Sequence, residues 1–169
     1  EYHSPKEDMP EESPTALKAD LNKMLVVEDN YDLRKQVKNI FRNQYVVFEA
    51  EDGIQGLELC KKEQPDIVVT DVMMPKMDGI ELCNRIKSDE EISHIPVMLL
   101  TAKNTDETIV EGYEFGADGY VAKPFNIDVL VARVNSLVKI REQLKNRFQK
   151  EIQINPNIIS NTPADSKFM

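Results

Sequence analysis

Short apolar runs alternate with amphipathic segments along most of the chain. Five runs rich in β-branched residues predict strands, at residues 24–27, 45–48, 67–69, 97–101 and 120–122. Between them apolar residues recur at helical spacing, as in Leu33, Val37 and Phe41. Strands that alternate with helices favour a parallel sheet covered on both faces. With right-handed crossovers, the pattern predicts an α/β fold, a three-layer sandwich of five parallel strands and five helices.

The two flanks of this pattern differ from its centre. Residues 1–20 combine prolines with acidic residues and Ser, a composition that buries too little apolar surface to offset ordering entropy, and they predict a linker. A domain is predicted at residues 21–140. Residues 141–169 continue the last helix with basic residues and then become polar and proline-containing. This extension is interpreted as a solvated linker helix, with a short coiled-coil or signalling helix as the alternative.

Composition narrows the classes of function. The formal net charge of −9 argues against a nucleic-acid binder and against an anionic membrane surface as direct partner. No apolar run approaches the roughly 20 residues that span a bilayer, and the first residues lack the basic and apolar regions of a signal peptide. Cys60 and Cys83 lack metal-ligand spacing and are expected to be buried free thiols in a reducing compartment. A cytoplasmic location is therefore expected.

Polar residues follow or end four of the predicted strands. Glu28 and Asp29 follow the first, Asp71 the third, Thr101 ends the fourth and Lys123 follows the fifth. The carboxyl ends of parallel strands lie at one edge of the sheet, so these side chains are expected to converge. Singly, each has a plainer interpretation: a helix start for the acidic pair, a satisfied strand hydroxyl for Thr101 and a surface lysine for Lys123. A plain structural role is harder to assign to Asp71, because burying a carboxylate at the end of an apolar strand costs free energy unless it has partners.

Four segments resemble the motifs of response-regulator receiver domains and occur in the family's order. They are VEDN at 27–30, DVMMP at 71–75 with Asp78-Gly79, LTA at 100–102 and YVAKPF at 120–125. The resemblance covers residues 23–139, approximately. It implies a flavodoxin-like sandwich with strand order 2-1-3-4-5. It also implies a phosphoacceptor domain that takes a phosphoryl group from the phosphohistidine of a sensor kinase and is not itself an enzyme beyond assisting that transfer.

The resemblance assigns the acidic residues to a magnesium site. Asp71 is the nucleophile that forms an acyl phosphate, because it occupies the family's acceptor position. Asp29 and Asp71 bind Mg²⁺ directly, the main-chain carbonyl of Met73 adds a third protein ligand, and Glu28 acts through water. Carboxylate and carbonyl oxygens are hard ligands that suit this ion, and its charge offsets the repulsion between carboxylate and phosphate.

The remaining motif residues are assigned to the phosphoryl group and to switching. Lys123 pairs with a phosphoryl oxygen, and the Thr101 hydroxyl and Ala102 amide donate to the others. Thr101 and Tyr120 form the switch, which alters the face made by the fourth helix, fifth strand and fifth helix. That face is also the expected surface of a homodimer. The Lys123-Pro124 peptide bond is expected to be cis.

Two positions predict a long-lived phosphoryl form. Met73 lies two residues after the acceptor, and Lys103 lies two residues after the switch threonine. A methionine side chain cannot orient an attacking water. No histidine lies in a helix suited to a kinase phosphodonor, so the chain is interpreted as receiving phosphate and not supplying it.

The tail and the acidic amino-terminal segment resemble the flanks of receivers in hybrid two-component sensors of Bacteroides-type bacteria. In those proteins a histidine kinase precedes the receiver and an AraC-type regulator follows, so DNA would be bound only by a missing output domain. The first residue is Glu, which fits a piece of a longer protein. The alternative parent is a conventional response regulator cut before its output domain.

Two other classes of function also use an α/β sheet with an acidic or phosphate-binding edge, and the sequence departs from both. A Mg²⁺-dependent phosphohydrolase with an aspartyl nucleophile typically carries a second Asp two residues after the first, where this chain has Met73. A flavodoxin-like ligand-binding module would need a Gly- or Ser/Thr-rich phosphate loop after the first strand, where this chain has Glu28, Asp29 and Asn30. Both are therefore less favoured than a receiver.

Overall fold

The structure, a computed structural model, describes residues 20–102 and 106–154. Five strands alternate with five helices along the chain. They are β1 (Asn22–Val27), α1 (Tyr31–Phe41), β2 (Tyr45–Ala50), α2 (Gly53–Glu63), β3 (Ile67–Asp71), α3 (Gly79–Ser88), β4 (Val97–Thr101), α4 (Asp106–Glu114), β5 (Gly119–Ala122) and α5 (Ile127–Ile154). All neighbouring strands are parallel, in the order β2-β1-β3-β4-β5. The predicted α/β fold and its strand order are confirmed.

The apolar pattern predicted each of these elements, but several of the predicted strands are shorter than the observed ones. β1 begins at Asn22 and not at residue 24, and β2 ends at Ala50 and not at residue 48. The two strands pair over their full length, from Asn22 with Tyr45 to Val27 with Ala50. Ladder hydrogen bonds involve the main chain, so pairing extends beyond the apolar side chains. The sequence predicts a fourth helix from roughly Thr105 to Phe115, and Thr105 lies outside the described residues.

Side chains that alternate along the strands build a core on each face of the sheet. On one face, Leu25 and Val68 pack with Cys60 of α2 and Leu82 of α3. On the other, residues such as Met24 and Val69 pack against α1 and α5. Cys60 and Cys83 are buried and free, as predicted, and burial raises the pKa of their thiols to about 12 and about 11. Thiols with such high pKa values carry little thiolate at neutral pH and are unreactive.

The buried face of α2 differs from the expected one. Helical spacing groups Ile54 with Leu57 and Cys60 on one face, but Ile54 is 46% exposed whereas Cys60 is fully buried. The helix instead contacts the sheet through Gly56, where an added Cβ would lie 2.9 Å from a methyl carbon of Val27. The apolar pattern could not reveal this face, because glycine has no side chain to score as apolar.

Helix α5 extends well past the core. Leu130 and Val134, which share helical spacing in α5, are fully buried, whereas Leu144 and Phe148 are 60% and 63% exposed. The helix is continuous from Ile127 to Ile154, and near its middle Arg141 donates a 3.0 Å hydrogen bond to the main-chain carbonyl of Asp66. This contact ties the start of the extension to the amino-terminal edge of the sheet. The division of the chain at residues 20 and 140 stays a prediction.

None of the helices in the described part of the chain is both long enough and apolar enough to cross a bilayer.

Replacing Gly79 by Ala is expected to lower the free energy of unfolding by about 3 kcal/mol, because an added Cβ would overlap the main chain. The Gly79 amide donates to the carbonyl of Val72 at 2.9 Å, and an ideal Cβ there would lie 1.9 Å from the main-chain oxygen of Asp71. Urea denaturation measures the change. Asn84→Ala, at an exposed position of the same helix, is the control and should change stability by less than about 0.5 kcal/mol. Wild-type stability in Gly79→Ala would contradict the prediction.

Candidate functional site

The carboxyl edge of the sheet brings together residues from four strands. Asp71 ends β3 and Thr101 ends β4, while Glu28 follows β1 and Lys123 follows β5. The parallel register aligns these ends, since Val27 pairs with Thr70, Asp71 with Leu100, and Thr101 with Ala122. The expected convergence at one edge is therefore present.

Three carboxylates form a cluster at this edge. Glu28, Asp29 and Asp71 each offer an oxygen, and these oxygens all lie within 4.8 Å of one another. Glu28 is 3% and Asp71 6% exposed, whereas Asp29 is exposed and opens the cluster to solvent. Anionic oxygen ligands that are only partly enclosed suit Mg²⁺, which usually retains several waters. The donor set therefore fits the divalent ion that the resemblance implies.

Lys123 lies between the two buried carboxylates. Its Nζ is 3.1 Å from Oε2 of Glu28 and 3.3 Å from Oδ2 of Asp71. The main-chain N–H of Lys123 donates to the carbonyl of Thr101 at 2.8 Å, which continues the β4–β5 pairing up to the site. The following peptide bond, Lys123-Pro124, is cis, as the resemblance implied. One ammonium thus offsets part of the negative charge of two buried carboxylates.

The pKa of Glu28 reflects this crowding. It is raised from 4.5 to about 7, first by burial and then by the Asp71 carboxylate, against the opposing effect of Lys123. A hydrogen bond of 3.3 Å from the Asn30 amide to Oε1 of Glu28 also favours the charged form but does not outweigh burial. A second positive charge in the cluster would stabilise ionised Glu28.

The loop after β3 turns back over Asp71. The main-chain N–H of Met73 donates to Oδ1 of Asp71 at 3.4 Å, and the Met73 side chain is 55% exposed. Lys76 has a φ of 69° in this loop, and its ammonium lies 3.5 Å from Oδ2 of Asp52, which caps α2. The backbone of Met73 is therefore held beside the carboxylate while its side chain faces solvent.

Thr101 and Tyr120 lie on the adjacent strands β4 and β5, where Thr101 pairs with Ala122 and Tyr120 with Leu99. Thr101 is fully buried and Tyr120 is 8% exposed. Burial raises the pKa of the Tyr120 hydroxyl, while a hydrogen bond with the Thr101 side chain opposes the shift. Ala102, the first residue beyond β4, is exposed. Lys103 lies outside the described residues.

Arg34 was not singled out from the sequence although it contacts the site. It is 6% exposed on the inner face of α1, and its guanidinium donates a 2.8 Å hydrogen bond to the main-chain carbonyl of Glu28. Its position in the sequence could have revealed it, because Arg34 shares helical spacing with the core residues Val37 and Phe41. A charged residue inside an apolar stripe needs a partner.

The fold and this edge define a class of protein: an α/β domain whose parallel strands hold carboxylates, a lysine and a threonine at one site. Residues 24–135 match the family described as the response regulator receiver domain. The chain belongs to this family. Receiver domains work with histidine kinases as regulatory modules and generally bind Mg²⁺ at an acidic pocket, and the cluster described above is such a pocket in its donor groups.

Two known proteins have sequences similar to this chain. The chain is 38% identical over 146 residues to histidine kinase P4 of Formosa agariphila, a match that covers 86% of this chain and 11% of the kinase. It is 39% identical over 117 residues to chemotaxis protein CheY-3 of Vibrio cholerae, covering 68% of this chain and 90% of that protein.

A solved structure of the signal receiver domain of a signal transduction histidine kinase from Syntrophus aciditrophicus has the same fold. Its TM-score is 0.66 at 31% identity, and the match covers 70% of this chain and 90% of that one. The relatives thus include both a long kinase and a protein little larger than one domain.

Glu28 is expected to make the stability of the ion-free protein fall as pH rises. Its pKa in the folded protein, about 7, exceeds the ordinary value of 4.5, so this contribution is complete below pH 4.5 and is lost through about pH 7. Glu28→Gln cannot ionise. Relative to wild type, its free energy of unfolding should therefore rise by roughly 2 kcal/mol between about pH 5 and pH 8, at about 1.4 kcal/mol per pKa unit.

Urea unfolding in the presence of a chelator measures this difference. Glu58→Gln, which changes an exposed glutamate of α2, is the matched control. Parallel pH profiles for wild type and Glu28→Gln would show the prediction to be wrong.

Proposed function

We propose that this chain is the phosphoacceptor receiver domain of a two-component phosphorelay, with Asp71 as the acceptor. The observation that carries the proposal is the position of Lys123, whose ammonium lies 3.3 Å from Asp71 and 3.1 Å from Glu28 beside a cluster of three carboxylates. A lysine next to a buried aspartate at an open acidic edge provides a nucleophile and a cation for phosphoryl oxygens.

The proposed reaction transfers a phosphoryl group from the phosphohistidine of a sensor kinase. An oxygen of the Asp71 carboxylate forms a new P–O bond as the P–N bond of the donor breaks, and the leaving electron pair remains on the imidazole nitrogen. The product is an acyl phosphate on Asp71. Asp71 is 6% exposed at the end of its strand, so the donor must approach from the open side of the cluster, where Asp29 is exposed.

Magnesium is the proposed cofactor. The carboxylates of Asp29 and Asp71 and the main-chain carbonyl of Met73 would hold it, with Glu28 acting through water. When bound, Mg²⁺ supplies positive charge between the carboxylates and the phosphoryl oxygens. The support is the cluster of three carboxylates, whose oxygens lie within 4.8 Å of one another.

The other residues of the edge stabilise the transferred group in this proposal. Lys123 exchanges its contacts with the two carboxylates for a phosphoryl oxygen. The Thr101 hydroxyl and the Ala102 amide donate to the remaining oxygens. Thr101 ends β4 and is fully buried, and Ala102, which follows it, is exposed.

Switching is proposed to pass from Thr101 to Tyr120. The two side chains share a hydrogen bond, so a Thr101 hydroxyl that turns to phosphate leaves Tyr120 to find another partner. The consequence would appear on the face of α4, β5 and α5, which already exposes Val110 and Tyr113 by 54% and 53%. This face is the proposed surface for an output partner or for a second copy of the chain.

The parent protein is proposed to be a cytoplasmic hybrid histidine kinase that controls transcription through a separate DNA-binding domain. The match to histidine kinase P4 spans 146 residues, more than the receiver family match of 24–135, so it includes part of the flanks. The chain spans 11% of that kinase. A separate response regulator remains the alternative parent, while an origin in Bacteroides-type bacteria stays a prediction.

The other two classes of function have less support. Met73, with a side chain 55% exposed, occupies the place where a phosphohydrolase of this type needs a second aspartate. The turn after β1 presents the buried Glu28 and the capping residue Asn30, not a phosphate loop.

Incubation with acetyl phosphate or phosphoramidate and Mg²⁺ is expected to add one phosphoryl group to the wild-type chain. Asp71→Ala should abolish the modification, because the proposed nucleophile is removed. Intact-mass spectrometry measures the adduct. Asp32→Ala, which removes an exposed carboxylate from the first turn of α1, is the matched control and should still be modified. An adduct that persists in Asp71→Ala, or none in wild type, would defeat the proposal.

The phosphoryl form is expected to outlast many seconds at neutral pH with Mg²⁺, because Met73 offers no group to orient water. Met73→Asn should shorten its lifetime by about tenfold, the effect of one well-placed hydrogen bond of about 1.4 kcal/mol. Met73→Leu is the control and should decay like wild type. Loss of the adduct is followed by intact mass over time, and decay of the wild-type form within seconds would contradict this expectation.

A further inference from the structure

Arg34 connects helix α1 to the acidic cluster. Its side chain is buried, and NH1 donates a 2.8 Å hydrogen bond to the main-chain carbonyl of Glu28 in a buried environment. The ring of Tyr31 lies over the guanidinium, with 5.4 Å between its centroid and the Arg34 Cζ. Burying an arginine costs free energy unless its N–H groups make hydrogen bonds. The buried position of Arg34 therefore indicates a specific role for this contact.

The carbonyl that Arg34 contacts belongs to the peptide between Glu28 and Asp29. On the strand side, the N–H of Glu28 donates to the carbonyl of Ala50 at 3.0 Å, which fixes Glu28 to β2. Within residues 20–102 and 106–154, no hydrogen bond to the Asp29 carboxylate is found. The place of that carboxylate relative to Asp71 therefore depends on the backbone, and Arg34 restrains the peptide from which it extends.

The positive charge of Arg34 is balanced by two glutamates that are not part of the cluster. Its Nε is 3.4 Å from Oε1 of Glu49, and NH2 is 3.7 Å from Oε1 of Glu51. Oε2 of Glu49 also accepts hydrogen bonds from Lys35 and Lys38, at 3.0 Å and 3.1 Å. Because these glutamates pair with its charge, the guanidinium adds little net positive charge near the proposed Mg²⁺ site. Its contact with the site is the single hydrogen bond from NH1 to the Glu28 carbonyl.

We propose that Arg34 is a positioning residue of the divalent-cation site. Its N–H to the Glu28 carbonyl holds the β1–α1 turn so that Glu28 and Asp29 reach Asp71. This inference rests on the proposed function, because it concerns the same Mg²⁺ site. A planar guanidinium binds a carbonyl and carboxylates at once, which a lysine ammonium cannot do with the same geometry. Partners that orient metal ligands typically contribute 10–100-fold in metal affinity.

The test is the Mg²⁺ dissociation constant of the unphosphorylated protein, measured by calorimetry, with thermal unfolding recorded with and without MgCl₂. Arg34→Met should weaken binding by about tenfold or more and reduce the Mg²⁺-dependent rise in Tm. Arg34→Lys should also weaken binding. Arg42→Met, at the exposed end of the same helix, is the matched control and should bind Mg²⁺ like wild type.

A second control separates positioning from a general loss of stability. Phe41→Leu disturbs the buried core of α1 without touching Glu28, so it should lower Tm and leave the Mg²⁺ constant unchanged. Because Glu49 keeps both lysines, Arg34→Met is expected to fold, and if it does not, Arg34→Lys decides.

Wild-type affinity in a folded Arg34 variant would overturn this inference alone, as would an equal loss of affinity in Phe41→Leu. A wild-type protein that binds no Mg²⁺ would overturn both this inference and the proposed cation site.

Discussion

Two carboxylates are buried at the same edge of one sheet, and their repulsion is the interaction on which the rest of this site depends. Glu28 and Asp71 are almost inaccessible, and Asp29 adds a third negative group at the rim. Lys123 approaches both buried carboxylates but brings a single positive charge. Burial raises the pKa of Glu28 to about 7, and the Asp71 carboxylate adds to this shift, which Lys123 only partly opposes. The negative charge that Lys123 leaves unbalanced at this edge favours binding of a cation. A site with only a structural role would not keep such charge buried.

Contacts from three different parts of the fold hold the residues of this edge in place. Arg34 holds the turn after β1, Gly79 lets the loop after β3 return closely over Asp71, and the pairing of β4 with β5 delivers Lys123. In the proposed function, phosphoryl transfer changes the charge at the place where these supports meet. A local electrostatic event can then bias the buried Thr101–Tyr120 pair, because both groups lie in a tightly packed interior that permits few intermediate arrangements.

Much of the architecture could be predicted because each element carries its own periodic signal. The five strands and five helices follow from apolar runs and helical spacing, and β4 was located at its observed bounds. Errors arose where the backbone, and not apolar side chains, makes the contact. β2 continues to Ala50 through ladder pairing, and α2 meets the sheet through Gly56 while Ile54 faces solvent. Strand order came from the resemblance and not from periodicity.

By itself, the sequence determined which polar residues end the strands, and parallel pairing requires strand ends to share an edge. That is why Glu28, Asp29, Asp71, Thr101 and Lys123 could be named as one group. Only the tertiary structure decided that Lys123 lies between the two buried carboxylates and that Arg34 holds the Glu28 carbonyl. The Lys123 contacts join strand ends far apart along the chain, and the Arg34 contact, although local in sequence, depends on how α1 packs on the sheet. No local pattern of residues encodes such distances.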